Sequence, residues 1–348
     1  MIQNREKSSI LLIYTGGTIG MKEDPAIQAL RPFDFSQILA EVPELRKFAY
    51  KIDSFTFDPI IDSSDVDPQN WIKLASIIES RYDDYDGFVI LHGTDTMAYS
   101  ASALSFMIEG LTKPVIFTGS QLPIGVPRTD GKENLISSVE IAAAKDDDGH
   151  AMVPEVCICF DSVLMRGNRT TKINSDNFRA FRSENLPPLA EAGISIRYNG
   201  QLIQKPTDWS KRPLFHKNLD TRVSILKIHP GITPQVAKGI LCGQESRAVI
   251  IETYGAGNAP SRGWFLDIVR QAADMGKILV NVTQCIAGSV NMDIYATGKC
   301  LKELGVINGY DSTTESALGK LFFLMGQHES NERVKSELYC NLRGEISK

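Results

Sequence analysis

The sequence predicts an α/β fold in two domains, a larger N-terminal sheet domain and a smaller C-terminal parallel one. Three observations carry that prediction. Short β-branched runs alternate with longer segments of helical period, the pattern of parallel strands covered by helices. Each run stops at small polar residues, as strands do where loops leave the carboxyl edge of a sheet. The length, 348 residues, suits about two domains at roughly 100 to 200 residues each.

The first strand is expected at residues 10–14, running into TGGTIG at 15–20. Its charged start precedes only five apolar residues and no small-residue cleavage site, so it reads as a strand and not a signal peptide. The second strand, 88–91, ends in HGTDT at 92–96. A helix over 97–108 follows, where Ala98, Ala101, Leu104, Ser105 and Ile108 give an i, i+3, i+4 face small enough to lie close on a sheet. Residues 115–117 end in TGS, and a strand EVCICFDSVLM at 155–165 is expected to lead into RGNRTTK at 166–172.

The stretch 197–219 holds Asn-Gly, Lys-Pro, Asp-Trp-Ser and Arg-Pro with little periodicity. It is the expected linker between an N-terminal domain, 1–196, and a C-terminal domain, 220–348. The second series then comprises 223–228 ending in HPG, 249–251 ending in ETYGAGN, and 278–282 ending in TQC.

Composition narrows the function classes. Lys plus Arg is 37 against 42 Asp plus Glu, a net charge of -5, which gives no electrostatic footprint for nucleic acid or an anionic membrane. The apolar runs fall far short of the ~20 residues a membrane helix needs. The six cysteines include no CxxC pair, and Cys157 and Cys159 alternate within one strand, so reduced core thiols and a cytoplasmic setting are expected. Five scattered histidines at 92, 150, 216, 229 and 328 support no metal site.

The chemistry lies in the strand-end loops. TGGTIG is GGxxG and not GxGxxG, and no GxxxxGK[ST] occurs, so nucleotide binding is disfavoured. What the loop does offer is two hydroxyls, Thr15 and Thr18, in a chain that glycines allow to turn sharply. HGTDT sets a hydroxyl, Thr94, beside a carboxylate, Asp95. A threonine is a weak nucleophile until a base takes its proton, and Lys172 at the end of RGNRTTK is a candidate amine. Plainer readings stand beside these. Asp95 suits a helix cap, Thr15 a satisfied turn, and His92 a packed strand-end histidine. DSSDVDP at 62–68 suits a helix N-cap cluster, and Arg128, Thr129, Asp130 and Gly131 a turn. The residues alone leave these alternatives open.

Motifs spread over nearly the whole chain go further. YTGGTIGM at 14–21, DSSDV at 62–66, YDGFVILHGTDTMAYSASALSFM at 85–107, TGSQLP at 118–123, RGNRTTK at 166–172, YGAGNAP at 254–260, NVTQC at 281–285 and NLRGE near the C-terminus occur in that order. Together they resemble the bacterial-type L-asparaginase/glutaminase family, most closely its cytoplasmic type I members.

That resemblance implies an asparaginase-like two-domain fold and hydrolysis of L-asparagine to L-aspartate and ammonia, with no cofactor and no metal. It implies Thr15 as nucleophile and Thr94, Asp95 and Lys172 as a proton relay. Ser63, Ser64 and Asp65 fall where the family holds the substrate's α-carboxylate and α-amino groups, and Asp95 resembles its ammonium anchor. Backbone N–H groups near Gly93 and Thr94 would suit an oxyanion hole, and Ser120 falls where the departing amide sits. The family completes its site from a neighbouring subunit, for which Asn258 is the candidate, so a homodimer or a homotetramer built as a dimer of dimers is expected.

Two departures stand out. Family members commonly place a tyrosine on a mobile lid after the first motif, and residues 21–40 contain none. Some cytoplasmic members bind a second asparagine allosterically; Thr171 and Cys285 match that site, but Glu252 stands where an arginine is expected. Like charge between Glu252 and an effector carboxylate predicts weak or absent activation. Two rival roles are an amidase subunit of a tRNA-dependent amidotransferase and a non-catalytic amino-acid sensor. The first comes with an N-terminal extension and needs tRNA binding, which the acidic balance disfavours. The second is free to lose the relay, yet Thr15, Thr94, Asp95 and Lys172 are all present.

Overall fold

Five parallel strands organise the N-terminal half of the chain, in a computed structural model that describes residues 8–24, 29–32 and 41–348. The chain divides into two units: Met1–Ser183 with Pro187–Phe215, and Glu184–Leu186 with His216–Lys348. Of the stretch 197–219, residues up to Phe215 thus belong with the first unit.

The strands of the first unit are, in chain order, β1 (Ser9–Tyr14), β2 (Met21–Asp24), β3 (Ala29–Pro32), β4 (Lys51–Thr56), β5 (Gly87–Leu91), β6 (Ile108–Glu109) and β7 (Val115–Thr118). They continue as β8 (Val156–Phe160), β9 (Val163–Arg166), β10 (Thr171–Lys172), β11 (Phe181–Arg182), β12 (Ala190–Ala192), β13 (Ile196–Tyr198) and β14 (Leu214–Phe215). Its helices are α1 (Pro68–Arg81), α2 (Met97–Met107) and α3 (Gly131–Ala143).

The main sheet has the order β13-β12-β9-β8-β7-β5-β1-β4. From β8 through β4 the pairs are parallel, while β8–β9, β9–β12 and β12–β13 are antiparallel. The antiparallel extension was not legible from the strand runs. It begins where Asp161 and Ser162 both take positive φ, 49° and 64°, which closes a two-residue hairpin in the sense that matches strand twist.

Strand order explains why two loops meet. From β1 the chain adds β4 on one side, then crosses to place β5 on the other, so the order reverses between β1 and β5. A reversal of this kind opens a crevice at the carboxyl ends of the strands. Tyr14 and Leu91 are register partners, as are Leu91 and Thr118, so Thr15, His92 and Gly119 emerge side by side. The first residues beyond the strands are still tied together: Thr15 N–H donates to Leu91 O at 3.0 Å and His92 N–H to Thr118 O at 2.9 Å.

Helix α2 was expected to bury one small-residue face, but every residue from Met97 to Met107 except Tyr99 is buried. Its second face receives the 3-10 turn Gly167–Arg169, where a Cβ at Gly167 would press on Ala101 Cβ and Val156 O at 3.0 Å each. Below that turn, Arg166 and Glu155 form a buried ion pair, Nε to Oε2 at 2.5 Å, and Arg166 Nη2 also donates to Leu202 O at 2.7 Å. The segment leading to Lys172 therefore rests on an anchored base.

The second unit is a parallel sheet of β15 (Val223–Lys227), β16 (Ala248–Thr253), β17 (Ile278–Thr283) and β18 (Ile307–Asn308), in that order. Its helices are α4 (Pro234–Leu241), α5 (Gly263–Asp274), α6 (Ala296–Glu303), α7 (Thr314–Gln327) and α8 (Asn331–Leu338). Leu226, Val249, Ile251, Phe265, Val269, Leu279 and Leu301 share its core. The NLRGE motif ends in a structural clasp, because buried Glu345 meets buried Lys320 of α7 at 2.6 Å and accepts the N–H groups of Leu342 and Arg343. Among the described residues no helix is long and apolar enough to cross a membrane.

Candidate active site

The loop after β1 is shaped by glycine. Gly16 and Gly17 take φ values of 142° and 93°, and a Cβ on Gly16 would collide with Ile61 O. A Cβ on Gly17 would strike the backbone of Gly93, and one on Gly93 would strike Ser63 Oγ. Three segments therefore close on one another: TGG lies against the backbone of Ile61, just before the DSSD turn, and against the backbone of Gly93 in HGTDT, while Gly93 lies against the Ser63 side chain. Buried Thr15 sits at the centre, its Oγ1 donating to Leu91 O at 3.0 Å and its carbonyl accepting Ile61 N–H at 2.8 Å.

The turn beside it is self-capped. Asp62 accepts from both Ser64 N–H and Ser64 Oγ at 2.9 Å, and these bonds, the backbone one foremost, hold its carboxyl below the usual range. Ser63 is buried and its carbonyl accepts Thr96 Oγ1 at 2.6 Å, whereas Ser64 and Asp65 are exposed. Asp67 caps α1 in a capping box with Asn70. The cap reading of DSSDVDP thus applies to Asp62 and Asp67, and it leaves Ser64 and Asp65 facing outward.

Asp95 does not cap α2: the N-cap is Thr96 and no side chain bonds there. Instead Lys172, reaching back 77 and 78 residues, donates to Asp95 Oδ1 and to Thr94 Oγ1, each at 2.7 Å. Lys172 is only 17% exposed, while Asp95 keeps 64% of its side chain in solvent. Hydroxyl, carboxylate and amine are thus assembled from one loop and one hairpin strand, with the carboxylate outermost.

His92 fixes the floor. Gly93 O can only accept, so the 2.7 Å contact assigns the imidazole proton to Nδ1, and Nε2 accepts from Ser100 Oγ at 3.0 Å. Ser100 in turn accepts from Trp71 Nε1 at 2.9 Å. Burial holds His92 neutral, its pKa pushed down to about 4. The unfolded chain therefore binds a proton that the fold refuses as pH falls from 6.5 to about 4, and stability drops across that window by roughly 3 kcal/mol. His92→Gln is expected to flatten the decline of thermal midpoint between pH 6.5 and 4; identical slopes for both proteins rule that assignment out.

The loop after β7 completes the surroundings. Ser120 is buried, its Oγ donating to Leu122 O at 2.5 Å, and a Cβ on Gly131 would lie 3.2 Å from Ser120 Cβ and 3.3 Å from Ile19 Cγ1. Gln121, which sequence reasoning passed over inside TGSQLP, lies next to Thr94 with Oε1 3.4 Å from Thr94 Oγ1. Nothing local in the sequence marks it, because the partner is 27 residues away.

The remaining candidates are divided between the two units. Thr171 is in β10, in the first unit; Asn258, Glu252 and Cys285 are in the second. Asn258 Oδ1 accepts Thr297 Oγ1 at 2.9 Å. Glu252 accepts Thr314 Oγ1 at 2.6 Å and lies 3.5 Å from Lys227 Nζ. Cys285 is exposed. Of the stretch expected to carry a lid, 25–28 and 33–40 lie outside the described residues. Among the described residues, the atoms of Asp146, Asp148 and His150 lie within 4.8 Å of one another, but Asp146 is already bonded to Lys205 at 3.0 Å and none of the three belongs to this site.

Similarity to known proteins bears on this arrangement. A family model described as asparaginase, N-terminal, matches residues 9–204, and one for the glutaminase/asparaginase C-terminal domain matches 222–337. L-asparaginase 1 of Escherichia coli (strain K12) is 44% identical over 346 residues, covering 98% of this chain and 99% of that protein. The crystal structure of L-asparaginase I from Vibrio cholerae O1 biovar eltor superimposes with a TM-score of 0.88 at 41% identity, over 98% of this chain and 100% of that one. The thermostable L-asparaginase from Thermococcus kodakarensis also gives 0.88, at 32% identity over 98% and 99% of the two chains.

Proposed function

This chain belongs to the asparaginase family and is an L-asparagine amidohydrolase, and we propose that it releases ammonia through a β-aspartyl ester on Thr15. The observation that carries the proposed chemistry is the Lys172 amine, 2.7 Å from both Thr94 and Asp95, whose loop meets the Thr15 loop backbone to backbone at Gly93 and Gly17.

Thr15 attacks the side-chain amide carbon. Its proton now rests on Leu91 O, a carbonyl that cannot take it, so attack requires the hydroxyl to turn toward a basic acceptor. The oxyanion that forms is held by backbone N–H groups near Gly93 and Thr94, at about 3 kcal/mol per donor. The proton taken from Thr15 is delivered to the amide nitrogen, the C–N bond breaks, the nitrogen leaves as ammonia past Ser120, and the acyl group remains on Thr15. In the second half, Thr94 and Lys172 orient a water and accept its proton, the water oxygen bonds to the ester carbon, and Thr15 leaves with a proton restored.

Substrate orientation follows from charge. Asp95, with most of its carboxylate exposed, suits the α-ammonium, while Ser63, Ser64 and Asp65 complete the α-carboxylate and α-amino subsite. Asn258 of a neighbouring copy closes the site in a homodimer or homotetramer, and the enzyme acts in the cytoplasm. Glu252 is already engaged by Thr314 and Lys227 and carries the wrong sign for a second asparagine's carboxylate, so Thr171 and Cys285 support weak activation or none. Ammonia release is expected with asparagine and only weakly with glutamine; a protein that binds asparagine without releasing ammonia is a sensor and not this enzyme.

A further inference from the structure

We propose that Asn281, the first residue of the NVTQC motif, is a positioning residue that fixes the turn carrying Asn258, so that a copy altered at Asn281 harms its neighbour's site and not its own. The inference rests on the reading of Asn258 as the side chain that closes a neighbouring copy's site.

The turn after β16 is tight. Tyr254 N–H donates to Asn258 O at 2.9 Å and Asn258 N–H to Tyr254 O at 2.8 Å, with Gly255 and Gly257 between them at φ values of 48° and 102°. Its three central carbonyls find their donors outside the turn, in one stretch of chain. Gly255 O accepts Thr283 Oγ1 at 2.7 Å, Ala256 O accepts Asn291 N–H at 2.9 Å, and Gly257 O accepts Asn281 Nδ2 at 3.1 Å. Asn281 and Thr283 both lie on β17.

Of these donors Asn281 is the most constrained. It is wholly buried, and its amide has one orientation: Gly257 O can only accept, so the nitrogen faces the turn, and the oxygen takes the proton of buried Thr253 Oγ1 at 2.6 Å. A Cβ on Gly257 would lie 3.0 Å from Asn281 Nδ2 and 2.7 Å from Val290 Cγ1, so the turn rests on this amide with no side chain between. The carbonyl held there belongs to the residue just before Asn258. Gly257 C=O and Asn258 N share one planar peptide group, so fixing that carbonyl also fixes the direction in which the Asn258 Cα leaves it. An amide that merely stabilised the second unit would weaken its own copy whatever the neighbour carried. One that sets Asn258 shows its effect in the neighbour's site.

The test uses asparagine as substrate and hybrid oligomers. Asn281→Ala is expected to lower kcat/KM about tenfold, the scale of one buried hydrogen bond lost. In an Asn258→Ala background the same change costs less than about twofold, because the side chain it positions is gone. The decisive measurement pairs Asn281→Ala with Thr15→Ala on differently tagged copies, co-expressed and purified through both tags. The intact Thr15 then lies in the Asn281→Ala copy and receives Asn258 from the Thr15→Ala copy, whose own Asn281 is intact. Turnover per intact Thr15 is expected to rise at least about fivefold over Asn281→Ala alone. A hybrid that stays at the Asn281→Ala level, or an Asn281→Ala enzyme with the parent's kcat/KM, overturns the proposal. Should Asn281→Ala fail to fold, Thr253→Val keeps the shape and removes only the hydroxyl that holds the amide; it is expected to lose about threefold and to be restored in the same hybrid, and no loss or an unrestored one overturns the proposal. Asn258→Ala separates the two levels. Full activity in that variant, or no restoration of it beside Thr15→Ala, removes the reading of Asn258 as a neighbour's residue; restoration there without restoration of Asn281→Ala sinks only this proposal.

Discussion

Thr15→Ala is expected to lower kcat for asparagine by about ten-thousandfold while leaving the folded protein intact. The size follows from the proposed role: removing a nucleophile deletes the covalent route and leaves only binding and oxyanion stabilisation. The fold should survive because the lost side-chain contact, Oγ1 to Leu91 O, duplicates one that the Thr15 backbone N–H already makes to the same carbonyl. Loss of one neutral hydrogen bond costs about 1 kcal/mol, a small share of a domain's stability. Stopped ammonia-release assays beside a denaturation curve separate the two effects. Residual turnover within about tenfold of the parent excludes Thr15 as nucleophile.

Lys172→Met comes next, with an expected loss of about a thousandfold in kcat and retained binding of aspartate. Methionine keeps the length and apolar stem of the side chain, so the change removes the amine with little loss of packing. It takes away the donor shared by Thr94 and Asp95, each 2.7 Å away. Asp95 is 64% exposed and can be rehydrated, which is why the fold and the ammonium subsite should tolerate the substitution. Isothermal titration with aspartate, run alongside kinetics, distinguishes the outcomes. Unchanged turnover sinks the relay, and lost aspartate binding with lost turnover recasts Lys172 as an organiser of the pocket.

Much of this site was legible because strand ends advertise themselves. TGGTIG, HGTDT and TGS each follow an apolar run, and small polar residues at the carboxyl ends of neighbouring parallel strands converge whatever the intervening sequence. His92 was legible as a packed residue on the same ground, and its bonds to Gly93, Ser100 and indirectly Trp71 fit that reading. Less legible were the parts that depend on antiparallel geometry. The β8–β9 hairpin, with β12 and β13 beyond it, gives no periodic signal long enough to separate it from loop. Asp95 was ambiguous between capping and pairing, and only the arrival of Lys172 decides, since a carboxylate at a helix start satisfies either rule locally.

By itself the sequence determined the fold class, the two series of strands, and the residue types available at each strand end. Alternation of period and the chemistry of turns are local properties, readable from a few neighbours at a time. Only the tertiary structure decided which hydroxyl meets which base. Lys172 reaches Thr94 across 78 residues, and Gln121 reaches it across 27. Those meetings depend on the β1 and β5 order reversal, on the anchored Arg166 and Glu155 base, and on two glycines close enough to exclude any side chain. No local rule encodes them, because each is set by how whole strands and turns close-pack around a shared core.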